Sequence, residues 1–138
     1  MRGYAKIFRN RKTGEFTIQP TARGPIGISD FGISILMPQE QFTQQILSVV
    51  VENILKYHRQ VYDDTRAISY SSQKQIDFLK NHTAVSLTWD ETGELTIRPL
   101  RREKGGMVSI DGQEIVLNED EISTDLIDAI LDAFRRTS

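Results

Sequence analysis

At 138 residues, with 38 % apolar and 26 % charged side chains, the chain is long enough to bury a core of its own and too apolar for disorder. It has no cysteine, which excludes disulfides, thiolate metal sites and thiol nucleophiles. A net charge of −2 hides an uneven distribution: Arg2, Lys6, Arg9, Arg11 and Lys12 open the chain without an acid, whereas Asp111, Glu114, Glu119, Asp120, Glu121, Asp125, Asp128 and Asp132 follow one another without a base.

The start, "MRGYAKIFRN", alternates basic and apolar residues and lacks the apolar stretch of a secretory signal. The longest apolar run, "ILSVVV", is too short to cross a bilayer, so a cytoplasmic protein is expected. "YAKIFR" and the run through Phe16 and Ile18 alternate about the turn "NRKTG", which predicts a β-hairpin with Gly14 at positive φ. Pro20 is expected to end the second strand, because proline has no N–H for a ladder. "IGISDFGISILM" reads as a second hairpin. Pro38 then stands near a helix start, and "QEQFTQQILSVVVENILKY" carries Phe42, Ile46, Leu47, Val49, Val50, Val51, Ile54 and Leu55 around most of its circumference, as a helix buried on most sides does.

Residues 58–82, "HRQVYDDTRAISYSSQKQIDFLKNH", form a polar connector rich in tyrosine and arginine. Ser71 or Ser72 would cap a short helix bearing Ile76, Phe78 and Leu79, and packing of that helix against the preceding one would account for its wide apolar face. A further hairpin follows, with "AVSLTW" and Leu95 and Ile97 flanking "DETG", and Pro99 as its expected end. "MVSIDGQEIVLN" reads as a hairpin around Asp111 and Gly112, and Ser123 as the N-cap of "TDLIDAILDAF". In that last helix Leu126, Ile127, Ile130, Leu131 and Phe134 occupy one arc, with Asp125, Asp128 and Asp132 opposite.

"TGEFTIQP" at 13–20 returns as "TGELTIRP" at 92–99, a separation of 79, and Ile35, Phe42 and Leu47 match Ile115, Ile122 and Ile127 at 80. One deletion reconciles the two offsets. The expected fold is therefore α+β and a single domain: a mainly antiparallel sheet built from two ββββα half-repeats, 1–57 and 83–138, with helices packed on it and the partly helical connector 58–82 between.

Catalytic chemistry finds little support. His58 and His82 lack the i,i+4 spacing of a zinc pair, "EKGGMVS" lacks the spacing of a phosphate loop, and "GPIGISDFG" lacks its lysine and the dinucleotide fingerprint. Asp63 and Asp64 read as a turn or helix end before they read as an acid–base pair. No catalytic, metal or cofactor residue is assigned, and a non-enzyme is expected. "RPLRREK", with Arg98, Arg101, Arg102 and Lys104, and the basic first strand with Tyr4 and Phe8 give modest support to nucleic-acid contact, against which stand the overall acidity and the lack of a reading helix. A protein interface fits better. The connector holds Tyr57, Arg59, Tyr62, Arg66 and Tyr70, residue types that dominate hot spots. Glu119, Asp120, Glu121, Asp125, Asp128 and Asp132 would steer a cationic partner.

The run "VSLTWDETGELTIRPLRREKGGMVSIDGQEIVLNEDEISTDLIDAILDAF" resembles the immunity proteins of bacterial contact-dependent growth inhibition systems. The likeness lies in the order of parts: a strand ending near Trp89, the strand "LTIRP", the "KGG" loop, a further hairpin and a closing acidic helix. It reaches the first half through the internal echo, and residues 58–82 have no counterpart. The resemblance implies a cytoplasmic inhibitor of the C-terminal toxin domain delivered by a neighbouring cell, often a nuclease whose cleft must be basic. Its toxin-binding residues would be Glu119, Asp120, Glu121, Asp125, Asp128 and Asp132, together with Tyr57, Arg59, Tyr62, Asp63, Asp64 and Tyr70. No cofactor, membrane or direct nucleic-acid partner is implied, and self-association is allowed without being indicated. The alternative is a small accessory or regulatory binding protein, self-associating or touching nucleic acid through its basic first strand and the Arg101–Arg102 loop.

Overall fold

In β1 (Gly3–Asn10) Ala5 and Ile7 are buried on one face and Phe8 on the other, the two-residue period of a strand covered on both sides. The computed structural model describes residues 3–24, 27–30, 35–45, 47–48, 73–103 and 106–137. In these, β1 is followed by β2 (Phe16–Gly24), β3 (Gly27–Asp30), β4 (Ile35–Met37), β5 (His82–Trp89), β6 (Leu95–Glu103), β7 (Gly106–Ser109) and β8 (Ile115–Leu117). The sheet runs β3-β2-β1-β5-β6-β7, with β4 also on β2 and β8 also on β6, and its described pairings are antiparallel. This is the α+β class expected.

The hairpins β1–β2 and β5–β6 form as expected, with Gly14 at φ 76° and Gly93 at φ 92° in their turns. The other two do not form. β3 and β4 both pair with β2, and β7 and β8 both pair with β6, so each segment lies along one neighbour instead of folding on itself. The turn at Asp111 and Gly112 (φ 76°) is an excursion between two strands in line.

That interruption explains the prolines, which stand inside β2 and β6 and do not end them. β8 reaches Ile97 and β7 begins at Leu100; Pro99 falls in the gap, where its carbonyl accepts from the amide of Ile110 (3.0 Å). A residue's N and O point to the same side of an antiparallel strand, so the missing N–H faces the break and costs no ladder bond. Pro20 has the same position, between Ile18 on β4 and Thr21 on β3.

Pairing registers repeat between the halves. Ile7 faces Ile18, which faces Ile35; Leu87 faces Ile97, which faces Ile115. β1 and β5 meet at the centre, with Ala5 opposite Leu87 and Ile7 opposite Val85 around the Lys6–Ser86 pair. The loop opened by Asn10 has one residue more than the loop opened by Asp90, which takes the offset from 80 at Ile7 and Leu87 to 79 in the echo, and segment 21–34 is one residue shorter than 100–114, which restores 80 at Ile35 and Ile115.

Helix α2 (Glu119–Arg135) buries Ile122, Leu126, Ala129, Ile130, Ala133 and Phe134 on the sheet face formed by Ile7, Ile18, Val85, Leu87, Leu95 and Ile97. Phe42 and Leu47 join this core, and Phe16 stacks on Phe42 (3.8 Å) with Phe134 at its edge (5.6 Å). Pro38 opens only a 3-10 turn, Gln39–Gln41; Phe42 leaves helical geometry at ψ 79°, and helix resumes at 44–45 and 47–48. Ile46 and the apolar residues from Val49 to Leu55 lie outside the described residues, as do Ser71 and Ser72. α1 (Gln73–Asn81) is the short helix expected at the end of the connector, but Phe78 and Leu79 pack on the second face of the sheet, against Phe8, Ala84 and Leu100. The strand alternation that points Phe8 and Ala84 away from the main core supplies this second apolar patch, and α1 covers it; the expected packing of α1 on the apolar residues from Val49 to Leu55 lies outside the described residues.

Candidate functional site

α2 starts earlier than Ser123. Asn118 is the N-cap: its side chain accepts from the Glu121 amide (2.9 Å) and Glu121 Oε1 accepts from the Asn118 amide (3.2 Å), a closed capping box. Ser123 lies inside the helix, its hydroxyl donating to the Asp120 carbonyl (2.8 Å). A full extra turn of acids therefore joins the helix at its positive end, where the macrodipole favours them.

Gln44 fixes the position of this helix. Its Nε2 donates to the Ile122 carbonyl (2.9 Å) and its Oε1 accepts from the Ile127 amide (2.9 Å), so one side chain from the first half spans a turn of α2. Below it Leu126 and Ile130 are fully buried. The outer face is thus presented on a rigid element.

The predicted acids divide into two groups. Glu121 serves the cap, Glu119 lies over the β5–β6 turn, where a Cβ on Gly93 would collide with its carboxylate, and Asp132 pairs with Arg136 (2.9 Å), whose guanidinium also donates to the Gln113 carbonyl (3.1 Å). Asp120, Asp125 and Asp128 are exposed and hold no ion pair among the described residues. Acids missed in the sequence lie at the start of the helix: the approach of Glu119 to Gly93 brings the turn that carries Asp90, Glu91 and Glu94 to that end. The Asp90 carboxylate accepts from the Thr92 hydroxyl (2.6 Å) and from the amides of Thr92 (2.9 Å) and Glu94 (3.1 Å), and these bonds, the hydroxyl first, hold its pKa below the ordinary aspartate value. The echo itself carried the signal, since "DETG" is acidic where "NRKTG" is basic.

Tyr57, Arg59, Tyr62, Asp63, Asp64 and Tyr70, with His58 and Arg66, lie outside the described residues. His82 is 8 % exposed, stacks on Phe78 (3.8 Å) and donates from Nδ1 to the Phe78 carbonyl (2.7 Å), which engages it structurally at the end of α1. Among the described residues no three His, Asp or Glu side chains gather as a metal site, and no helix is long and apolar enough to cross a membrane. What the arrangement offers is charge on a stiff surface.

Fold and site together define an α+β protein whose antiparallel sheet is covered on one face by a capped, outwardly acidic helix. No family model matches the chain, and no curated protein matches it. Among solved structures it is similar to a protein of unknown function from Neisseria meningitidis, at a TM-score of 0.71 and 17 % identity, over 99 % of this chain and 95 % of that one. It is also similar to a chain of the CdiA-CT/CdiI toxin and immunity complex from Yersinia pseudotuberculosis, at a TM-score of 0.67 and 11 % identity, over 99 % of this chain and 97 % of that one. At such identities the likeness is one of fold.

Proposed function

We propose that the chain is an immunity protein that binds and neutralises the C-terminal toxin domain of a contact-dependent growth inhibition system, by covering its active site or substrate surface. The observation that carries this reading is the end-to-end likeness to a chain of a toxin and immunity complex, which spans both halves and is not confined to one hairpin. The outer face of α2 supplies a matching chemistry. Asp120, Asp125 and Asp128 stand exposed on a helix whose backbone is clamped by Gln44 and whose opposite face is buried, so they meet a partner without first being ordered. A nuclease cleft must be cationic to hold phosphates, and a preorganised row of carboxylates steers toward it and competes for it.

In this reading Asp120, Asp125 and Asp128 make the first encounter, with Tyr57 and the connector residues Arg59, Tyr62, Asp63, Asp64 and Tyr70 as further contacts. Glu119, Glu121 and Asp132 act through the helix, shaping its end and its local field. Inhibition is stoichiometric, with no turnover, cofactor or metal. The proposal expects a large exoprotein to be encoded directly upstream of this chain, and the test is co-expression with the C-terminal domain of that exoprotein. Cell survival and a complex that persists through gel filtration are expected; killing with no complex contradicts the proposal.

A further inference from the structure

We infer that the end of the sheet opposite the acidic helix cap is a second binding site, one that takes the phosphate backbone of a nucleic acid. The sequence holds two short basic segments, at 9–12 and 101–102, which singly read as solvated loops. The fold brings them to one end. Arg9 on β1 pairs with Thr83 on β5, and Ala84 pairs with Leu100, which sets Arg101 one step further along β6, level with Thr83. Arg9, Thr83 and Arg101 therefore share one face on three adjacent strands. The Arg11 amide donates to the Asn81 carbonyl (2.9 Å), tying the turn to the end of α1, where Lys80 is exposed.

Around this turn lies a cavity of about 480 Å³, open to solvent and bordered by Arg9, Arg11, Lys12, Asn10, Gln39 and Thr83, with no apolar side chain in its lining. The Arg9 guanidinium rests over the Phe16 ring, 5.1 Å from its centroid, which holds it at the cavity wall. Arg11, Lys12 and Arg102 are exposed, and Arg101 pairs with Glu103 (2.9 Å). Glu15 and Glu40 border the neighbouring cavity.

Folding does not require these cations. The Asn10 side chain accepts from the amides of Lys12 (2.8 Å) and Thr13 (3.0 Å), and in the equivalent turn, one residue shorter, Asp90 accepts from the amides of Thr92 (2.9 Å) and Glu94 (3.1 Å) and closes a hairpin turn with Glu91 in place of Arg11 and Lys12. Like charges held together repel, so their concentration here is a cost that an anionic ligand offsets. A protein partner would be expected to find an aromatic or aliphatic anchor, and the cavity lining provides none; cations, hydroxyls and amides are what phosphate oxygens need. The site is distinct from the acidic face and stands whether or not that face binds a toxin.

The full chain should bind a short fluorescein-labelled single-stranded oligonucleotide at low salt in fluorescence anisotropy. The logarithm of the binding constant should fall with the logarithm of salt at a slope of about −2, as three neutralised phosphates on a single strand give. Replacing Arg11→Gln and Lys12→Gln together should weaken binding about tenfold and reduce the slope by about 1.4. Asp125→Asn with Asp128→Asn should leave it intact. On the unaltered chain, amide shifts on titration should fall at residues 9–14, 83 and 101–102. No anisotropy change at low salt, equal binding by the Arg11→Gln, Lys12→Gln chain, or shifts elsewhere would overturn the assignment. Equally tight binding of a glutamate-rich peptide of the same charge would also overturn it, assigning the end of the sheet to an acidic polypeptide.

Discussion

The side chain of Gln44 donates to the Ile122 carbonyl and accepts from the Ile127 amide, and no periodicity or motif announces it: in the sequence it is one polar residue among several on the first helix. Gln44→Ala should lower the free energy of unfolding by about 1–3 kcal/mol, as the loss of two partly buried hydrogen bonds implies, measured by urea denaturation. Asp90 was legible as a turn residue, because Asn or Asp ahead of Thr-Gly is turn chemistry, but its neighbours on α2 were not. Its pKa is depressed in the folded chain, so the turn gains stability above the unfolded pKa and loses it as pH falls through the folded value. A carboxyl NMR titration should therefore show Asp90 titrating below the ordinary aspartate value. Asp90→Asn should keep the turn at neutral pH, since the Asn10 amide oxygen likewise accepts from two turn amides, and should remove this part of the acid dependence.

Among the elements, β1, β2, β5 and β6 and the amphipathic arc of α2 followed from alternation and helical spacing, because one buried face imposes its period on the sequence. The start of α2 did not, since the apolar arc begins only at Ile122 and both Asn118 and Ser123 are good caps; the Glu three residues after Asn118 decides between them. Asn118→Ala should cost about 1 kcal/mol and Ser123→Ala no more than a few tenths, read from thermal or urea unfolding. The edge segments at 27–37 and 106–117 read as hairpins in the sequence because Asp-Gly and Gly-rich turns look alike whether the chain folds back or continues along the same neighbour. Pro20 and Pro99 were the available clue, for a proline within a run of alternating residues marks a place where the ladder is broken. Beneath α2, Leu126→Ala should cost about 2–5 kcal/mol, the range for removing a fully buried leucine side chain.

At the scale of the molecule, the repeat is legible as an offset in the sequence and is matched by pairing registers, but the consequence for charge is not. Two equivalent turns point to opposite ends of the β1–β5 ladder, one basic at Arg11 and Lys12, the other acidic at Asp90 and Glu91, and only the antiparallel pairing of Gly3 with Trp89 and Asn10 with His82 shows it. The acidic end continues along α2; the basic end collects Lys80, Arg101 and Arg102 from segments distant in the chain. The proposed immunity function rests on the exposed carboxylates of α2 reaching a cationic toxin surface first. Stopped-flow association of the isolated toxin domain with this chain, over a salt series, tests that directly. The rate constant should fall steeply with ionic strength, and Asp125→Asn with Asp128→Asn should slow it and flatten the dependence. Association that ignores both salt and these substitutions would contradict it and move the interface off the helix.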